Sequence, residues 1–372
     1  MIIPLFKPSF GDDEVEAVSE VLRSHWLGLG PKTAEFERRL SDYVGVDYVV
    51  ALNSCTAALH IALKAMGVKE GDEVLVPAIT FVSTAHAVAY CGAKPVFVDV
   101  DDVTLNMDLV DLEKKISQKT RAIVVVHYSG RIVEVDRVRK IAGKIPIVED
   151  AAHAMGASLG SKKAGALGDI GCFSFHAVKN LATGDGGAIS TNDRKIYDAA
   201  MRLRWLGIDR STWQRANDGE GMRTYSWQYG VSELGFKYHM NDIAAALGIA
   251  QLKKLDDANR KRESIAARYF ARFQDISEIK LPQPDSDYSR SSWHLFVIRV
   301  EQRDALIDYL NQRGISTGVH YYPIHLYEIF SPQPSLPCSE KVAKKILSLP
   351  LYPSMTDEEH DYVCESIATY FG

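Results

Sequence analysis

One lysine stands out by its surroundings. In DIGCFSFHAVKNLATGDGGAIST, residues 169–191, Lys179 sits in a turn-rich stretch between two apolar runs, among Ser174, Ala177, Thr183, Gly184, Gly186 and Gly187. A glycine-dense neighbourhood lets backbone approach a bulky ligand. A lysine desolvated there has a lowered pKa and can form a Schiff base with an aldehyde; the competing reading is an exposed loop lysine. Asp150 ends the apolar run IPIVED, and small residues follow it in AAHAMGA. A carboxylate at the end of a buried strand needs a positive partner, and a protonated pyridine nitrogen is one; a helix N-cap is the alternative. In NSCTAALHIAL, residues 53–63, small hydroxylated residues precede an apolar-periodic helix. Free amides at such a start, aided by the helix dipole, suit a phosphate, with Thr56 and Ala57 best placed and the Ser174 hydroxyl as a further donor. Ordinary capping is the alternative there. Each signal is weak alone, but phosphate site, acid and lysine follow in that order within one stretch of chain.

The elements that would position these residues are short Val- and Ile-rich runs alternating with helix-like stretches: YVVALNS, DEVLVPAIT, KPVFVDV, RAIVVVHYSG, IPIVEDAA and DIGCFSF. Runs of this kind bounded by Gly, Pro, Asn and Asp predict buried strands of a mostly parallel α/β sheet. Asn53, Ala78, His127 and Asp150 fall at strand ends, where such sheets hold ligands. From Asp242 to Phe273 the spacing predicts one long helix bridging two domains, with the basic cluster Arg260 to Arg262 on a solvated face. We expect a large domain over 1–245 and a smaller α+β domain over 246–372. Residues 209–232 read as an ordered but irregular insertion.

Composition narrows the class. The 372 residues are 46% hydrophobic and 24% charged, with a net charge of −5. That balance supports a full core and disfavours a general nucleic-acid binder. No apolar run approaches the roughly 18–20 residues of a membrane-spanning helix. The opening MIIPLFKPSFGDDEVEAV lacks the pattern of a signal peptide, so a cytoplasmic location is expected. Five scattered cysteines form no CxxC pair, which suggests neither a disulfide framework nor a zinc site. His320 and His325 in GVHYYPIH are five apart with Pro323 between them. That spacing is wrong for two ligands on one helical face, so no metal is expected and a loop lining the substrate or donor site is the preferred reading, His320 above His325.

Across nearly its whole length the chain resembles the nucleotide-sugar aminotransferases of the DegT/StrS type. The matching blocks include WLGLGPKTAEFERRL, NSCTAALH, PAITFVSTAHAVAYCGAKPVFVDVD, VEDAAHAMGA, FSFHAVKNLATGDGGAIS, MNDIAAALGIAQLKKLD and LSLPLYPSMTDEE. The resemblance implies the aspartate-aminotransferase-like fold (type I) and pyridoxal 5′-phosphate as cofactor. It implies that Lys179 carries the cofactor as an internal aldimine and acts as general base, while Asp150 keeps the ring nitrogen protonated. Phe81 would stack on the ring, His153 would contact the ring or its 3-hydroxyl, and Thr56, Ala57 and Ser174 would bind the phosphate. It further implies a homodimer in which GFKYHMND reaches into the neighbouring active site. There Lys237 and His239 stand where many members carry Asn and Arg, and either would touch the partner's phosphate or substrate. His320 would line the substrate site. The retained lysine favours amino transfer over the dehydratase branch. FSFHAVKN, WHLFVIRV and LGIDR (206–210) look especially like the UDP-4-amino-4-deoxy-L-arabinose–oxoglutarate aminotransferase branch. The expected reaction moves an amino group from L-glutamate to a keto carbon, C4 foremost, of a nucleotide-linked sugar. Amination at C3, dehydration and a non-catalytic regulator are the alternatives.

Overall fold

The computed structural model describes residues 1–208 and 229–372. The LGIDR stretch therefore falls partly, and the 209–232 insertion mostly, outside the described residues. In chain order the strands are β1 (Tyr48–Leu52), β2 (Glu73–Pro77), β3 (Lys94–Val98), β4 (Thr120–Val126), β5 (Ile147–Asp150), β6 (Ser158–Leu159), β7 (Lys162–Lys163), β8 (Ile170–Ser174), β9 (Gly187–Thr191), β10 (Ser289–Arg290), β11 (Phe296–Arg299) and β12 (Ile346–Leu349).

Seven of them form the central sheet in the order β1-β9-β8-β5-β4-β2-β3. All run parallel except β9, which is antiparallel to both of its neighbours. The α/β class and the mostly parallel sheet match the expectation. Strands such as VLV in β2 and IVVV in β4 are buried on both faces because helices cover both sides. The helix Cys55–Ala65 starts at Ser54, whose hydroxyl accepts the Ala57 amide at 3.1 Å.

The predicted single helix from Asp242 to Phe273 is two helices, Asp242–Lys253 and Leu255–Phe273. Lys254 leaves helical torsions (φ −109°, ψ 4°), and its ammonium is tied to Glu14 at 2.6 Å. The break lets the first helix pack on helices Asp12–Ser24 and Pro31–Val44, while Ile265, Ala266, Tyr269 and Phe273 of the second enter another core. Arg262 shares that inward face by helical spacing, so it is buried at 6% exposure rather than solvated. This second core gathers β11, β12 and the helices Arg303–Gln312 and Asp357–Phe371. Ile3 also belongs to it and bridges to Ile315, so the first residues of the chain pack with its last third.

Candidate active site

The C-terminal ends of β4, β5 and β8 open onto a cavity of about 300 Å³. Ser54, Thr56, Phe81, Asp150, His153, Ser174 and Lys179 all line it. Lys179 follows β8 in the connection to β9, which leaves and re-enters the sheet at one edge because the two strands are antiparallel neighbours. Burial lowers the Lys179 pKa to about 8, although Cys55 and Asp150 pull it the other way.

The floor is acidic. Asp150 is 4% exposed and accepts hydrogen bonds from Thr84 Oγ1 at 2.8 Å and from the Ala152 amide at 3.2 Å. It caps no helix. Burial nonetheless pushes its carboxyl up from the usual value, against Thr84, Ala152 and Lys179. A cation facing it would relieve that cost. Glu149, the preceding residue, points to the other face of the sheet. There it accepts the amides of Gly165, Leu167 and Gly168 and the Nε2 proton of His127 at 2.8 Å. His127 Nδ1 accepts from the Val133 amide, which fixes that tautomer. Of the strand-end residues singled out in the sequence, Asp150 enters the cavity and His127 supports the strand beneath it.

One wall is aromatic. Phe81, 57% exposed, lies 5.9 Å from the Tyr321 ring, and Tyr321 Oη meets His153 Nε2 at 2.9 Å. Burial, with Lys179 and His320 nearby, holds His153 well below the ordinary histidine pKa, so its ring is neutral. Its Nδ1 is buried without a partner. His320 donates or accepts at Ser348 Oγ over 2.8 Å, and burial lowers its pKa to about 4. His325 lies elsewhere, with Glu340 at 3.2 Å from Nε2.

The helix start at Ser54 forms the third side. Ala57 gives its amide to Ser54, whereas the Cys55 and Thr56 amides have no partner among the described residues. Gly187 brings β9 against this turn, since a Cβ there would stand 2.4 Å from the Ser54 carbonyl carbon. Lys237 and His239 do not line this cavity, although the backbone of Lys237 to His239 pairs with Leu52 and Asn53 beside Ser54. Lys237 Nζ sits 3.6 Å over the Trp205 ring, and His239 meets the same ring edge-on at 4.4 Å.

His294, Asn180 and Tyr321 escaped the sequence reading. Asn180 Nδ2 faces two acceptors, Asn259 Oδ1 at 2.8 Å and the Ser292 carbonyl at 2.7 Å. Its Oδ1 is therefore left to accept from His294 Nδ1 at 3.1 Å. The opposite nitrogen, His294 Nε2, is then an acceptor, and Lys179 Nζ lies 3.3 Å from it. A histidine immediately before the apolar run LFVIRV was the available signal, but no spacing rule links it to a lysine 115 residues away.

These residues fit pyridoxal 5′-phosphate: an enclosed lysine, a buried acid wanting a cation, an orphaned histidine nitrogen and unpaired amides at a helix start. Such a site at the C-terminal edge of this sheet defines a fold type I, pyridoxal phosphate-dependent aminotransferase. The chain belongs to the DegT/DnrJ/EryC1/StrS aminotransferase family, whose model matches residues 8–368. The spore coat polysaccharide biosynthesis protein SpsC of Bacillus subtilis is 40% identical over 379 aligned positions, covering 98% of this chain and 96% of SpsC. Helicobacter pylori PseC, an aminotransferase involved in pseudoaminic acid biosynthesis, superposes with a TM-score of 0.92 at 30% identity, covering 100% of this chain and 99% of PseC. Spr1654 of Streptococcus pneumoniae in its PLP form gives 0.91 at 32% identity, covering 99% and 98%.

Proposed function

We propose that this aminotransferase moves an amino group from L-glutamate to the keto carbon, C4 foremost, of a nucleotide-linked sugar. The observation that carries the reading is Lys179, enclosed and partly neutral, in one cavity with Asp150. The sugar class rests on the relatives, which include proteins of polysaccharide and pseudoaminic acid biosynthesis. Pyridoxal phosphate, when bound, delocalises the electron pair left as a proton departs from the amino-bearing carbon. The chain's own groups do the rest. Lys179 Nζ takes that proton and returns it one position along. His294 Nε2 holds the amine in line by accepting from it. Asp150 would bind the ring nitrogen's positive charge, Phe81 would cover the ring, and His153 would donate or accept at the ring's oxygen. The amides of Cys55 and Thr56 with the Ser174 hydroxyl take the phosphate; Ala57 supports them through the Ser54 cap.

The exposed apolar residues Val231 and Leu234, at 60% and 94% exposure, favour a homodimer, and a cytoplasmic location belongs to the same reading. In it Lys237 and His239 would serve the neighbouring site, and His320 would line the sugar pocket. The large and small domains would divide near residue 245. The test is spectroscopic. Added L-glutamate should convert the pyridoxal-form absorbance of the purified enzyme to the pyridoxamine form, and a nucleotide keto-sugar should restore it. A pyridoxal band that ignores glutamate and every other amino acid would overturn amino transfer in favour of another reaction at this site.

A further inference from the structure

Behind the turn that carries Lys179 lies a second cavity, of about 210 Å³. Four separated stretches wall it: Phe6 to Ser9, the turn from Val178 to Asn180, the helical face from Gln251 to Arg262, and Leu351 to Pro353. Its charges are unbalanced. Lys7, Lys179, Lys254, Lys261 and Arg262 line it against Asp257 alone. Lys254 is already held by Glu14 and Asp257 by Arg260. Lys7 and Lys261 have no ion pair among the described residues.

Arg262 is the unusual member. It is 6% exposed, its Nη1 has no hydrogen-bond partner, and burial lowers its pKa to about 10 with no carboxylate opposing the shift. A guanidinium taken out of water without a counter-charge is costly, and natural structures pair such groups. Nothing in the fold requires a cation at this point of the helix, since its neighbours on the same face, Ile265, Ala266 and Tyr269, are apolar. The missing partner is therefore one that enters from the cavity.

We propose that this cavity binds a small oxyanion, a phosphate or a carboxylate, with Arg262 at its depth and Lys261 and Lys7 at its rim. The planar guanidinium takes two oxygens in parallel, and the ammonium groups contribute as point charges. The site is separate from the one at Ser54, because the Val178–Lys179 turn stands between the two cavities and lines both. It therefore exists whether or not the proposed glutamate and sugar are the substrates. Occupancy would be felt at the reaction centre, since Asn180 lines this cavity and orients His294, the residue facing Lys179 Nζ.

The test is calorimetric titration of the cofactor-loaded enzyme, whose cofactor-phosphate position is filled, with inorganic phosphate and separately with succinate. Saturable binding of one anion per chain is expected for at least one probe; phosphate alone identifies a phosphate ligand and succinate alone a carboxylate. The double variant Lys7→Ala/Lys261→Ala, altered only at exposed positions, should weaken that binding about fivefold or more. Arg262→Gln should abolish it, and where that variant does not fold the double variant decides. No saturable binding of either anion, or binding unchanged in the double variant, overturns the site.

Discussion

Lys179 Nζ and His294 Nε2 lie 3.3 Å apart although 115 positions separate them in the chain. The contact joins the connection after β8 to the segment that leads into β11. Because Asn180 claims the other ring nitrogen, His294 presents a lone pair to the lysine at any pH where it is neutral, and burial keeps it neutral well below the ordinary histidine range. His294→Ala should lower kcat about ten- to a hundredfold, the equivalent of one hydrogen bond to a charged group. The KM for the amino donor should change little and circular dichroism should be unaltered. A structural role alone would instead appear as lost stability with the remaining folded enzyme fully active.

Removing the amine itself is more severe. Lys179→Ala should cut turnover at least about a thousandfold, since proton transfer and the covalent link are lost together. The variant should fold, and cofactor should still bind it non-covalently through Asp150 and the helix start at Ser54. Near-normal turnover would refute the assignment of Lys179.

Lys179 also makes stability pH-dependent. Its pKa is about 8 in the folded chain and near 10.5 ordinarily. Between those values the unfolded chain holds a proton that the folded chain does not, so stability rises with pH across that window. Relative to Lys179→Met, the cofactor-free protein should lose about 3 kcal/mol as pH falls from about 10.5 to 8, then show no further change. Urea unfolding of both proteins at several pH values measures the difference; a constant gap from pH 8 to 10 would contradict the burial of this amine.

Gly187 holds β9 against the start of the Cys55–Ala65 helix. A Cβ there would lie 2.4 Å from backbone, with no flexible side chain able to yield. Gly187→Ala should separate strand and helix start, costing about 1–3 kcal/mol. Cofactor should then be lost on dialysis much faster than from the wild type. Unchanged retention would show that the cradle tolerates the extra methyl group.

Much of this site could be read from local patterns. Lys179 stands out by its small neighbours, Asp150 by ending an apolar run, and Thr56 by lying at the start of an apolar-periodic helix; each signal lies within a few residues of its cause. The features that escaped are set by distance in the chain. Whether Ser54 or a ligand takes the Ala57 amide depends on a hydroxyl rotamer, and His294 reaches Lys179 only after the second core has docked. The reading of Arg262 failed for a different reason. A cluster of three basic residues looks solvated as a block, yet helical rotation separates its members and sends one of them inward with Ile265 and Tyr269.

The reversal of β9 has one more consequence. Ser174 and Gly187 face each other across the β8–β9 pair, so the intervening loop is clamped at both ends by a single rung. Residue 179 hangs from that clamp and contributes no backbone to the parallel strands. The side chain that decides the chemistry is thus interchangeable in principle without disturbing the scaffold, much as a tool bit is changed in a chuck.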